Sequence, residues 1–464
     1  MTRPNHISYK DPAARVFIKD GLYYRYIFDT YKKEYDHLME SGLYQELIDQ
    51  ELIIAHEEIA TAEAGVYKLL KPSQISFQSY PFEWSYTQWH KAILSFLKIN
   101  QIALQYGMLL KDATPFNFYL QGGKAILLDT SSFTFFEEGA PWLAYRQFCS
   151  EFLSPLALMY YKGQKWSRIT RTHLRGFPLN FVSKQLPLKS WFNIAVLLHV
   201  HMHAKYANAE GSTAKAKNNL ANASNKVQPK GFSTEKLSSL LDLILCSIQK
   251  WKQAYQYEKH WLDYYEQDIV SEQYLVHKEQ IIQSWLEKIK PTRVLDLGAN
   301  TGKFSLLASK YASQVIALES DDICVDTLEA EIQKQNLQDV YVLMQELAET
   351  SPNLGVDEKE MASIFTRAKS DMVMALAVEH HLHISNQISF DQIAEMFSMF
   401  TSKYLIAEFV PASDPKVQLL VMDRNKDLST YTMENFCNSL FLYFKIIEVV
   451  DLKGSERKLI LLEK

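Results

Sequence analysis

The chain has 464 residues, of which 47% are hydrophobic, 13% aromatic and 22% charged, and 49 Lys and Arg against 54 Asp and Glu leave a net charge of −5. This apolar fraction excludes wholesale disorder, the length accommodates about two or three domains at ~150 residues each, and the charge balance makes no case for nucleic acid. Cys149, Cys246, Cys324 and Cys437 lie far apart without a Cys-x-x-Cys pair, which points to reduced thiols and not to a disulfide framework or a thiolate zinc site. The N-terminus has no apolar signal core. The longest apolar stretch, around Phe192–Met202, is broken by His199 and His201 and falls short of the ~20 residues a membrane span needs. A soluble, cytoplasmic chain without membrane insertion is expected. The 15 glycines are about 3% of the chain, under half the usual ~7%, so any close glycine pair asks for a reason.

Residues 1–204 read as helical with a few strands. Tyr86–Leu104 carries Trp89, Ile93, Phe96, Leu97, Ile99 and Ile102 at helical spacing. Gly122-Gly123 and Ala125–Leu128 read as a hairpin turn and a strand, and helices are expected near Trp142–Tyr161 and Ser190–Ala204. Within the last, His199, His201 and His203 would share a face and a metal only on a strand; on a helix only His199 and His203 do. The helical reading, with no metal, is taken. Asp112, Asn117 five residues on, and Asp129 at a strand end resemble the catalytic loop and metal-binding Asp of protein kinases and aminoglycoside phosphotransferases. That resemblance covers about residues 60–200 and implies an α+β module with a nucleotide and Mg²⁺ site at those three residues. Several features depart from it. No glycine-rich phosphate loop precedes Asp112, Lys111 stands where Arg is usual, and Thr130-Ser131 follows Asp129 in place of Phe-Gly. A degenerate binding or scaffolding module, an active phosphotransferase and a chance likeness all stay open.

Residues 205–232 are rich in Ala, Asn, Ser and Lys and nearly free of large apolar residues, which marks a flexible polar linker. A helical lead-in is expected over 233–290. Tyr274 and Lys278 on it either reach a cofactor carboxylate or lie at the surface, and Trp251, Tyr255, Trp261, Tyr264 and Tyr265 read as domain packing. From 291 to 464 short apolar runs alternate with amphipathic segments: Arg293–Leu297, Val315–Glu319, Val340–Met344, Asp371–Ala377 and Lys403–Phe409. This rhythm predicts a doubly wound, parallel α/β sheet. It closes with Phe444–Val450 and Lys458–Leu462, joined by a short turn at Gly454 and therefore antiparallel.

A strand ending in Asp296 runs into Gly298, Asn300 and Gly302 and then into a helix, whose first N–H groups are unpaired. The next strand ends in Glu319, 21 residues after Gly298, a carboxylate at a distance that suits a ribose diol. Neither a Walker loop nor Gly-x-Gly-x-x-Gly is present. Asp296-x-Gly298-x-x-x-Gly302 instead resembles the first motif of class I S-adenosylmethionine (SAM) methyltransferases, over about residues 270–464. The resemblance implies a seven-stranded sheet with its last strand antiparallel and SAM as cofactor. Asp296 to Gly302 would hold the methionine part, Glu319 the two ribose hydroxyls, and Gln345, Glu346 and Leu347 the adenine side, with Ser320 and Ala375 as further cofactor-binding residues. Glu379, His380 and His381 follow that strand. Many small-molecule methyltransferases look similar there, so these three are the candidate catalytic residues, a histidine serving as base where the acceptor carries a proton. Glu408 and the loop Pro411–Pro415 are further acceptor-site candidates. The segments 408–418, Gly454–Arg457 and Ser79–Trp84 are similar to bacterial nodulation-type methyltransferases. A small-molecule or glycan acceptor is expected, without nucleic acid. Two alternatives remain: a phosphotransferase joined to the methyltransferase and acting on a saccharide, or a binding protein with a regulatory SAM site.

Overall fold

The computed structural model describes residues 11–205, 232–251, 271–422 and 428–464 and divides into two compact units. The linker expected over 205–232 lies, but for its end residues, outside the described residues, as do Tyr255, Trp261, Tyr264 and Tyr265.

The first unit opens with a four-stranded sheet. β1 (Ala14–Lys19) and β2 (Leu22–Phe28) form a hairpin whose two turn residues, Asp20 and Gly21, both have positive φ, the mark of a twist-matched tight turn. β3 (His56–Ile59) and β4 (Val66–Pro72) complete the order β1-β2-β4-β3. The expected helix runs Tyr86–Gln105 and starts on a reciprocal cap between Ser85 and Gln88. β5 (Met108–Leu110) pairs antiparallel with β8 (Phe133–Phe135). Between them β6 (Phe118–Gln121) and β7 (Lys124–Leu127) pair across Gly122-Gly123. The helices expected near Trp142–Tyr161 and Ser190–Ala204 are present over 145–162 and 194–205, each with a wide turn inside it.

One boundary differs from the expectation. The helix Thr234–Gln249 belongs to the first unit and not to a lead-in of the second. Its Leu237, Leu241, Ile244 and Ile248 repeat at helical spacing and are fully buried in the core that holds Phe96, Ile99 and Ala103. His90 bonds the Ile248 carbonyl at 2.9 Å, Tyr86 Oη donates to the Trp251 carbonyl at 3.1 Å, and Trp251 stacks on Tyr160.

The second unit is a seven-stranded, mostly parallel sheet with helices. Its strands are β9 (Arg293–Leu297), β10 (Gln314–Glu319), β11 (Val340–Met344), β12 (Ser370–Ala375), β13 (Thr401–Phe409), β14 (Lys445–Asp451) and β15 (Lys458–Glu463), in the order β11-β10-β9-β12-β13-β15-β14. β15 alone runs antiparallel, between β13 and β14. β9 to β12 are near-continuous buried runs, as a sheet covered on both faces requires. The order reverses between β9 and β12, and such a reversal opens a crevice beyond the carboxyl ends of the strands.

Candidate active site

The chain leaves β9 through Gly298, Asn300 and Gly302, all with positive φ. A Cβ on Gly298 would stand 2.7 Å from Val378 Cγ2, and one on Gly302 would run into Leu328. Backbone conformation and crowding both demand glycine there. Glu319, at the end of β10, closes over this loop. Its Oε2 accepts the Asn300 N–H at 2.7 Å, and its Oε1 accepts those of Ser320 and Asp321 at 2.6 and 2.9 Å. Burial raises this carboxyl, and the three N–H groups work the other way. Asp296 lies behind the loop and accepts Ser305 Oγ–H at 2.6 Å, while burial pushes it up to about 7.

In front of this cradle is a cavity of about 340 Å³, within the ~300–1,000 Å³ of small-ligand sites. Gly298, Asn300, Leu318, Glu319 and Ser320 form one wall, and Gln345, Glu346 and Leu347 after β11 form the next. Leu376, Ala377, Val378, His381, Leu382, Ser385, Asn386 and Leu420 continue it beyond β12. Of the expected cofactor residues, Gly298, Asn300, Glu319, Ser320, Glu346 and Leu347 border the cavity. Asp296, Gly302 and Ala375 stand behind it and shape the wall. Gln345 borders it too, but its side chain is spent on Ser351 and on the carbonyls of Glu346 and Glu349.

Of the three expected catalytic residues, only His381 borders the cavity. After the positive φ of Ala377 the chain enters a helical turn, so Val378, His381, Leu382 and Ser385 share the cavity face. Glu379 and His380 point the other way, into the protein. Glu379 Oε1 accepts the Val410 N–H at 2.7 Å and the Tyr431 hydroxyl at 3.1 Å, and burial pushes the carboxyl up to about 7. His380 is fully buried, with no hydrogen-bond partner on either ring nitrogen among the described residues; its Nδ1 stands 3.8 Å from Glu379 Oε2. Burial lowers both His380 and His381 to about 3, so His381 faces the cavity as a neutral imidazole.

A charged cluster lies under the same wall. The helix Glu272–Ile289 buries Tyr274, Lys278, Ile282, Trp285 and Leu286 at helical spacing, so neither Tyr274 nor Lys278 is a surface residue. Lys278 reaches the cavity and donates to Glu408 Oε2 at 2.6 Å. Tyr274 Oη donates to Glu408 and receives Arg457 Nη1 at 3.1 Å, and Arg457 also grips Asp414 at 2.7 and 3.2 Å. Burial opposes the charge on Glu408, but Lys278 and Arg457 outweigh it and hold this carboxyl below its ordinary value. The acceptor-site role expected for Glu408 is corrected: it is fully buried and anchors a cation at the wall.

Several comparisons bear on the chain. The family model described as TehB, tellurite resistance protein TehB, matches residues 260–365. Nodulation protein NoeA of Rhizobium meliloti (strain 1021) is 25% identical over 473 residues, spanning 100% of this chain and 97% of NoeA. The strand order with one antiparallel strand is the one that the resemblance to SAM-dependent methyltransferases implies. Among solved structures, N-methyltransferase NodS from Bradyrhizobium japonicum WM9 aligns at TM-score 0.32 and 10% identity, over 42% of this chain and 98% of NodS. Magnesium protoporphyrin IX methyltransferase (ChlM) from Synechocystis PCC 6803, with bound S-adenosylhomocysteine, aligns at 0.30 and 16%, over 41% and 85%. The cradle fits SAM: a glycine turn that a Cβ would fill and a fixed carboxylate facing it across the wall. Leu376 to Val378 and Asn386 were not legible as lining residues, because only the turn after Ala375 brings them round, and Leu420 comes from the separate helix Pro415–Met422.

In the first unit Asp112, Asn117 and Asp129 converge. Asn117 Nδ2 donates to Ser132 Oγ at 3.2 Å, and Ser132 Oγ donates to Asp129 at 2.9 Å. Burial raises the Asp112 carboxyl; Lys111 opposes this, while Asp129 and Asp11 add to it. Asp129 also accepts from Ser131 and forms an ion pair with Arg25 of β2. Burial works against its charge, yet Arg25 and the two serines hold it below its ordinary value.

Proposed function

We propose that the second unit transfers the methyl group of SAM to a hydroxyl or amine of a small-molecule or glycan acceptor that enters beside His381. The observation that carries this reading is one continuous cavity running from the Gly298–Glu319 cradle to His381, Ser385 and Asn386. SAM supplies an electrophilic methyl on a sulfonium, and displacement at that carbon asks the protein mainly for positioning. The cradle fixes one end of the cofactor, and Lys278, paired with Glu408, lines the same cavity. His381, uncharged, does not repel a sulfonium and can orient an acceptor O–H or N–H through a ring nitrogen. The test is transfer of labelled methyl from SAM to acceptors in a small-metabolite and oligosaccharide extract. A labelled product that Gly298→Val no longer forms is expected; SAM binding without any labelled product would leave a regulatory site instead.

We infer that the chain is organised as a kinase-like unit, a polar linker and the methyltransferase, and that the kinase-like unit no longer transfers phosphate. Convergence of Asp112, Asn117 and Asp129 supports the likeness. The Arg25–Asp129 pair supports loss of activity, since a guanidinium sits on the carboxylate that would hold Mg²⁺. Calorimetric titration of the whole chain with Mg²⁺–ATP is expected to give no heat. Binding and turnover would favour the bifunctional alternative.

A further inference from the structure

Methyl transfer makes no use of one face of the first unit. Between residues 152 and 209 the chain has eight Lys and Arg and no Asp or Glu, in a protein of net charge −5. The same stretch leaves large apolar side chains outside the core: Phe192 is 93% exposed and Leu188 83%, with Trp191, Ile194, Leu198 and Met202 also exposed. Ile194, Leu198 and Met202 fall four residues apart and make one stripe along the helix 194–205. Leu188 and Phe192 lie on the turn just before it.

His201 makes this face a single body. One ring nitrogen bonds Ser183 Oγ at 2.8 Å, the other bonds Ser190 Oγ at 2.7 Å, and the ring stacks on Trp191 at 4.2 Å with 4° between planes. The helix Leu179–Gln185, the turn Leu188–Phe192 and the helix 194–205 are thereby locked together, with Lys184 and Lys189 exposed among them. His199 and His203 hold the helix from another side, through a 2.7 Å bond and a stack on Tyr145. The three histidines are the frame of a surface.

We propose that this face docks on an anionic bilayer, with Leu188, Trp191 and Phe192 in the headgroup layer and Lys184 and Lys189 against anionic headgroups. An exposed apolar patch alone fits a protein partner as well as a lipid. What selects the lipid is the long acid-free, basic segment around it, since aromatic and aliphatic anchors framed by Lys and Arg are the signature of interfacial binding. No helix among the described residues is long and apolar enough to cross a membrane, so the contact is peripheral.

The test is flotation of the full chain with vesicles of equimolar phosphatidylglycerol and phosphatidylcholine, against vesicles of phosphatidylcholine alone. Binding to the first only is expected, weakening as salt is raised. Leu188→Ser with Phe192→Ser, and separately Lys184→Glu with Lys189→Glu, are each expected to lower the bound fraction about tenfold or more, with unchanged thermal unfolding. The proposal is overturned if wild type does not float with anionic vesicles, if salt leaves binding unchanged, or if folded variants float as well as wild type. A dimer seen by light scattering that the serine pair dissolves, without flotation, would also overturn it and give the face to a second copy.

Discussion

At position 298 a valine would need a left-handed backbone and would place its Cβ 2.7 Å from the Val378 side chain. Both costs fall on the cofactor loop, so Gly298→Val is expected to abolish SAM binding by calorimetry while the circular dichroism spectrum stays native. A loop shaped only for packing would instead lose stability and keep binding. Glu379 makes a second prediction. It titrates at about 7 in the fold against an ordinary 4.5, so between those values the folded chain keeps a proton that the unfolded chain gives up. That contribution is full below about pH 4.5 and is lost as pH rises to about 7. Glu379→Gln keeps an oxygen for Val410 N–H and Tyr431 Oη but cannot ionise. It is expected to gain roughly 2 kcal/mol on wild type between about pH 5 and pH 8, read from urea midpoints; parallel pH curves would refute the assignment.

The elements explain which parts of the site can be read from sequence. The glycine turn and Glu319 were legible because each marks the end of a short apolar run, and a strand end fixes where its last residue points. Glu379, His380 and His381 were legible only as a group. Which of them faces the cavity depends on the turn at Ala377 and the helical phase that follows, and one residue of phase exchanges cavity for core. Helical spacing from Tyr274 to Trp285 already places Lys278 on the buried face, and that signal outweighs the usual preference of lysine for the surface. β15 carries a prediction at this scale. It joins β13 to β14, so removing residues 458–464 is expected to abolish SAM binding and expose apolar surface to a dye. Retained binding would mean that the sheet tolerates the gap.

At the scale of the whole molecule, two units and an α/β second half were legible from composition and rhythm, but the border was not. The linker composition draws the eye to 205–232, whereas the helix Thr234–Gln249 returns to the core of the first unit. Leu237, Leu241, Ile244 and Ile248 together represent roughly 6–12 kcal/mol of burial, comparable with the ~5–15 kcal/mol that holds a domain folded. A fragment of residues 1–251 is therefore expected to unfold cooperatively and stay in solution, and one of residues 1–204 to aggregate; equal behaviour of the two would remove the helix from the unit. The Arg25–Asp129 pair is likewise invisible in sequence, because 104 residues separate its members and no local pattern ties them.

The insertion of β15 between two earlier strands sets a timetable for the newborn chain. β13 is complete at residue 409, but its neighbour begins only at residue 458. At ~5–20 residues per second of synthesis the edge of β13 stays bare for about 3–10 s, while strands pair in microseconds. Glu408 sits on that bare edge strand, and an inward-pointing charge is one of the devices that keep open edges from joining a stranger. Arg457, the residue just before β15, comes to stand 3.8 Å from that carboxylate. The charge that guards the edge during the wait thus meets a cation from the residue leading into the strand that ends it.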